Sequence, residues 1–123
     1  MNEINILLVD DDHIVNFISE KILTDMGFRN IKTVNDGKQA LESLKENCPN
    51  LVFLDINMPV MDGFTFLTRA AKEIICMQMN VVILTSSDRQ SDKNQASQFS
   101  NVVDYVEKPL NQDKVRQVLE KVN

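Results

Sequence analysis

Five short apolar runs, residues 4–9, 31–34, 51–54, 81–84 and 102–106, alternate along the chain with segments whose apolar residues recur at helical spacing. Alternation of this kind predicts a parallel sheet with helices on both faces, because parallel neighbours need a crossover between them. The first, third and fourth runs are almost continuously apolar, whereas the second carries Lys32 and Thr33 and the fifth carries Asp104. A strand buried on both faces has no room for a polar alternate, so the second and fifth are predicted at the edges. The doubly wound order 2-1-3-4-5 has that arrangement.

Helix signals fill the gaps. Ile14, Ile18, Ile22 and Met26 form an i, i+4 stripe ending at Gly27, and Val115, Val118, Leu119 and Val122 form another towards the chain end. Asn35 or Asp36 caps a second helix running through Leu44, and a third is expected over residues 63–75, packing Phe64, Leu67 and Ala71 on the sheet. The fourth, residues 91–99, offers little beyond Ala96 and Phe99 and is predicted to be the loosest, since an apolar face supplies most helical stability. Asn101 follows it, where a left-handed cap is expected.

Composition narrows the class. The 123 residues are one domain's worth, and 43% apolar with 25% charged residues is an ordinary globular balance. Thirteen basic residues against eighteen acidic ones leave a net charge of −5, which argues against direct nucleic-acid binding through a basic surface. Cys48 and Cys76 lie in no metal or C-x-x-C spacing, and with a single histidine they read as packing thiols in a reducing compartment. No run approaches the roughly 20 apolar residues that span a bilayer, and no secretory signal is recognisable, so no membrane insertion and a cytoplasmic location are expected. Met1 and the lack of a linker after the last helix favour a single-domain protein over a piece of a longer regulator.

In a parallel sheet the C-terminal strand ends share one edge, where ligand sites form. That edge is predicted to gather Asp10 and Asp11, with Asp12 beside them, Asp55 from the third strand, Thr85 and Ser86 from the fourth, and Lys108 with Pro109 after the fifth. Carboxylates crowded together repel by about 4 kcal/mol per pair at 4 Å and an effective dielectric near 20, so a cation is required. Oxygen ligands without imidazole or thiolate select a hard ion, and Mg²⁺ suits a site that keeps room for a phosphoryl group. Metal, lysine and hydroxyl around one carboxylate equip Asp55 to act as a nucleophile and to carry the product, an aspartyl phosphate.

These residues match a family. Asp10 and Asp11 after ILLV, Asp55 within LVFLDINMPVMDG, Thr85 within VVILTSS and Lys108 within DYVEKPL resemble the receiver domain of two-component response regulators over essentially the whole chain, residues 1–123, and in particular its single-domain chemotaxis type. The resemblance implies a flavodoxin-like (βα)5 fold and a phosphorelay signalling module. It further implies that Asp10, Asp11, Asp55 and the backbone carbonyl of Asn57 bind Mg²⁺, and that Asp55 takes a phosphoryl group from a histidine kinase or phosphotransfer protein. Lys108 then holds a phosphoryl oxygen, and Thr85 and Tyr105 form a switch pair acting on a downstream protein target. On this view the chain is no enzyme beyond its own phosphorylation and dephosphorylation.

Plainer readings exist for single residues. Asp10 and Asp11 suit a helix N-terminus, a role we assign to Asp12; His13 reads as a solvated first-turn residue, and Met58, Met61, Met77 and Met79 as packing. Ser87 and Asn57, each two residues beyond a site residue, are expected to flank the phosphoryl group and tune its hydrolysis. The rival from another class is a Mg²⁺-dependent phosphatase of the haloacid dehalogenase type, for which Asp10 and Asp12 offer a D-x-D spacing, although the residues that should follow are missing and the chain is too short for a cap domain. Flavodoxin-like cofactor binding is weaker still, because the acids after the first strand repel a cofactor phosphate.

Overall fold

The computed structural model describes residues 3–122, so residues 1, 2 and 123 of the expected domain lie outside the described residues. The elements run β1 (Asn5–Val9), α1 (His13–Asp25), β2 (Asn30–Val34), α2 (Gly37–Glu46), β3 (Leu51–Leu54), α3 (Gly63–Lys72), β4 (Asn80–Thr85), α4 (Gln90–Ala96), β5 (Val102–Glu107) and α5 (Gln112–Lys121). All neighbouring strands pair in parallel, in the order β2-β1-β3-β4-β5. The polar alternates of the second and fifth runs do mark the edges, for β2 is largely exposed and β5 half-buried while β3 and β4 are buried throughout.

Strand residues alternate between two cores, as the period of two requires. Leu7, Val9, Val52, Leu54, Val81 and Ile83 meet Ala40, Leu41, Leu44, Phe66, Leu67 and Ala70 from α2 and α3. On the other face Ile6, Leu8, Leu51, Phe53, Val82 and Leu84 meet Leu23, Val115 and Val118 from α1 and α5. Four of the five helix N-termini carry a side-chain cap, Asp12 for α1, Asp36 for α2, Asp62 for α3 and Asn111 for α5, each accepting a backbone N–H. Among the described residues no helix is long and apolar enough to cross a membrane.

The expectations need correction at several points, the simplest being that α4 ends at Ala96 rather than at residue 99. In α1 the buried residues are Asn16, Ser19 and Leu23, and Ile22 and Met26 of the expected stripe pack partly buried against the core, while Ile14 is 68% and Ile18 47% exposed. The cause is local: Asn16 Nδ2 donates to the carbonyls of Asp10 (3.0 Å) and Val34 (3.1 Å) at the ends of β1 and β2, and that contact sets the rotation of the helix. Helix α3 stops at Lys72, short of Ile75, and exposes Ala71 while burying Phe64, Phe66, Leu67 and Ala70. Ile74 ends it in the left-handed region (φ 55°), with the N–H of Ile74 bonded to Ala71 and that of Ile75 to Ala70, the pattern Gly27 makes after α1. At Asn101, by contrast, φ is not positive; Val60, Ile74 and Cys76 are the non-glycine residues in that region among those described.

The cysteines also differ from expectation. Cys48 and Cys76 are not free packing thiols but a disulfide, with Cα atoms 5.4 Å apart. Each sits just before a central strand, Cys48 ahead of β3 and Cys76 ahead of β4, and adjacency of those strands brings together residues 28 apart in sequence. Their pairing removes the cysteines as an argument for a reducing compartment.

Candidate functional site

Parallel pairing continues past the strands and positions the acids. Asp10 N donates to Val34 O (3.2 Å) and Asp55 N to Val9 O (2.9 Å), so both carboxylates emerge side by side at the C-terminal sheet edge. Lys108 is drawn to the same edge by its own N–H, which donates to Thr85 O (2.9 Å). Helix α3 closes against the back of the site: Gly63 N donates to Ile56 O (2.8 Å), and a Cβ at Gly63 would fall 2.4 Å from Asp55 O. Only glycine allows that approach without displacing the backbone that carries Asp55.

Asp10 and Asp55 are buried and Asp11 is exposed, and one carboxylate oxygen from each lies within 4.8 Å of the others. Each buried acid has one oxygen fixed by backbone, Asp10 Oδ1 accepting from Asp12 N (2.9 Å) and Asp55 Oδ1 from Ile56 N (2.9 Å). The second oxygens turn to Lys108, whose Nζ lies 2.6 Å from Asp10 Oδ2 and 3.3 Å from Asp55 Oδ2. Lys108 is thus the charged partner that both buried carboxylates share, and it reaches Asp10 Oδ2 more closely than Asp55 Oδ2. Burial pushes the Asp10 carboxyl above its ordinary value, and the charge of Asp55 adds to this against the pull of Lys108. Burial alone lowers the Lys108 ammonium, yet its bond to Asp10 and the charges of Asp55 and Asp10 outweigh that and hold it above 10.5. Three acids against one lysine leave the pocket net negative, and an all-oxygen donor set with its ligand atoms within 4.8 Å of one another fits a hard divalent cation.

Thr85 is buried at the end of β4, its Oγ1 accepting from Ser87 N (3.4 Å). Tyr105, half-buried on β5, donates its hydroxyl to Ser87 O (2.9 Å), and Lys93 Nζ stands 5.8 Å from its ring centroid. Burial raises the Tyr105 hydroxyl above 10.0. Asn57 is exposed and lines a groove of about 380 Å³ with Asp62, Thr65 and Asp92 between α3 and α4. His13 is exposed, as expected, with Nδ1 3.4 Å from Asn35 Nδ2. Asn16 was not among the expected site residues although it braces the carbonyl of Asp10. A polar residue four positions beyond the α1 cap, inside an otherwise apolar stretch, was the available signal.

As the counterion of two buried carboxylates, Lys108 carries a stability effect of its own. In chelator-treated protein, Lys108→Ala is expected to cost about 2 kcal/mol, below the range for a fully buried pair because the side chain is 19% exposed. Added Mg²⁺ should restore part of that loss. Urea unfolding with and without Mg²⁺ measures both, and a wild-type midpoint in the chelator would remove Lys108 from this role.

A five-stranded doubly wound sheet with three acids, a threonine and a lysine at its C-terminal edge defines a phosphoacceptor signalling domain. The chain belongs to the response regulator receiver domain family, whose model matches residues 6–120. It is 36% identical to the chemotaxis protein CheY of Bacillus subtilis over 94% of each chain. Among solved structures, a two-component response regulator from Cytophaga hutchinsonii matches with TM-score 0.88 and 30% identity over 97% of this chain and 96% of the other. The receiver domain of sensor histidine kinase PA1611 from Pseudomonas aeruginosa, with a magnesium ion coordinated in its active site cleft, matches with TM-score 0.85 and 25% identity over 98% and 97%. Receiver domains are signalling modules that bind Mg²⁺ at an acidic pocket and interact with histidine kinases and downstream effectors. Nothing supports the haloacid dehalogenase alternative.

Proposed function

We propose that Asp55 is the phosphoacceptor of this domain, with Lys108 and Thr85 receiving the phosphoryl oxygens and Tyr105 reporting the change. The observation that carries this is the convergence of Asp10, Asp11 and Asp55 within 4.8 Å of one another, with the Lys108 ammonium bridging Asp10 and Asp55. Asp10, Asp11, Asp55 and the backbone carbonyl of Asn57 would hold Mg²⁺, which when bound supplies charge neutralisation for the incoming phosphoryl oxygens. An Asp55 carboxylate oxygen attacks phosphorus; the new O–P bond forms as the N–P bond of a phosphohistidine breaks, and the departing imidazole nitrogen takes a proton from solvent. Lys108, already bridging Asp10 and Asp55, meets the transferred charge without moving far. The product adds a charge of about −1.5 to −2, which draws Thr85 inward and changes the surface around α4 and β5 seen by a downstream protein. The chain's own chemistry ends with gain and loss of that group.

The donor, in this reading, is a helix of a histidine kinase or phosphotransfer protein. Ile14, Phe17 and Ile18 stand 68%, 68% and 47% exposed on one side of α1, immediately after the acids, and a solvent-facing apolar trio beside the reactive carboxylate suits a partner helix. Incubation with acetyl phosphate and Mg²⁺, followed by peptide mapping, tests the acceptor: one phosphoryl group is expected, on the peptide containing Asp55. Modification elsewhere, or turnover of the donor that requires Asp10 but not Asp55, would refute it. Phe17→Asp is expected to slow transfer from a phosphorylated histidine protein at least tenfold while leaving uptake from acetyl phosphate unchanged, and equal slowing of both would remove α1 as the donor's docking face.

A further inference from the structure

The β4–α4 connection is held by a polar cluster centred on Ser87. Ser87 Oγ donates to Asp92 Oδ2 at 2.6 Å, the same oxygen accepts from Arg89 Nε at 3.2 Å, and Arg89 N donates to Ser87 Oγ at 3.3 Å. Ser87 N reaches Thr85 Oγ1 and Ser87 O accepts from Tyr105, so each polar group of this one residue is tied to a different neighbour. The anchor at the far end is Asp92, whose side chain is 13% exposed and sits in the first turn of α4.

Helix α4 has few other holds. It is seven residues long, buries only Ala96, and is preceded by Arg89, whose side chain makes no cap hydrogen bond. With so small an apolar face, polar contacts at its N-terminus carry an unusual share of its attachment. We propose that Asp92 is a positioning residue that, through Ser87, latches the β4–α4 connection in the resting arrangement and so sets the affinity of the Asp55 pocket for a phosphoryl group. This rests on the reading of Asp55 as acceptor.

The coupling is mechanical. Thr85 Oγ1 is at 3.4 Å from Ser87 N, and any shift of Thr85 towards a group on Asp55 pulls on Ser87. Ser87 is restrained by Asp92 on one side and Tyr105 on the other, so the shift must stretch or break the latch. An interaction present only in the resting state lowers affinity for whatever favours the other state, by the free energy of that interaction. A charge-assisted hydrogen bond at a partly exposed position corresponds to roughly a three- to tenfold change in affinity.

Beryllofluoride with Mg²⁺, a phosphoryl mimic, tests this on the full chain. Tyr105 is the sole tyrosine and tryptophan is absent, so intrinsic fluorescence reports from β5. Asp92→Ala and Ser87→Ala are each expected to bind beryllofluoride three- to tenfold more tightly than wild type, and Asp92→Asn, which keeps an acceptor oxygen, to fall back towards wild type. Unchanged or weaker binding by Asp92→Ala and Ser87→Ala, accompanied only by lower thermal stability, would reduce Asp92 to a structural residue and overturn the latch. If Asp55→Asn binds beryllofluoride as well as wild type does, the acceptor assignment fails instead.

Discussion

An Asp55→Asn protein is expected to incorporate no phosphoryl group from acetyl phosphate, while remaining folded. The amide matches the carboxylate in shape, so Lys108 and the Ile56 N–H keep an acceptor, but it is no nucleophile towards phosphorus. Stability should not suffer. The charge of Asp55 contributes to the raised Asp10 carboxyl, so neutralising it relieves repulsion in a pocket where three acids face one lysine. The thermal midpoint without divalent ions is therefore expected to be at least that of wild type, and the rise produced by Mg²⁺ to shrink. Intact-mass spectrometry and a thermal scan with and without Mg²⁺ give both readouts. Residual labelling at the wild-type level would place the acceptor at another residue.

Opening the Cys48–Cys76 bond should lower stability by roughly 3–4 kcal/mol, the loop-closure value for a cross-link of this length. The two residues are 28 apart, and the segment between them contains β3, Asp55 and the whole of α3, so the bond limits the unfolded chain over the part that builds the site. In the folded protein it lies at the opposite sheet edge from Asp55, ahead of the strands rather than after them. Phosphoryl uptake should accordingly be the same in oxidised and reduced protein at temperatures where both are folded. Urea unfolding of the oxidised protein, the reduced protein and a Cys48→Ser, Cys76→Ser double variant measures the difference. Coincident curves would show that the bond contributes nothing to stability.

Much of the site was legible because it depends on order along the chain. Apolar runs mark strands, polar alternates such as Lys32 and Asp104 mark edges, and in a parallel sheet each strand end is read off as the residue following a run. Asp10, Asp11, Asp55, Thr85 and Lys108 were placed at one edge by that rule alone. What misled was helix facing. The Ile14, Ile18, Ile22, Met26 stripe is a fair apolar face by period, but two hydrogen bonds from Asn16 to strand-end carbonyls set the rotation and left Ile14 and Ile18 in solvent. Likewise Ile74 in the left-handed region ends α3 where the pattern ran on, since a completed C-terminal motif outweighs one residue's preference.

The chain by itself therefore determined the five strands, their parallel order and the membership of the acidic site, because these follow from one-dimensional patterns of burial and from which residue follows each run. Tertiary structure alone decided the Cys48–Cys76 bond, the solvent-facing trio on α1, the Lys108 bridge between Asp10 and Asp55 and the link from Asp92 through Ser87 to Thr85 and Tyr105. Each of these is a distance or a direction between residues on different elements. Such quantities depend on how helices rotate and how connections turn, and a pattern of polar and apolar positions does not encode them.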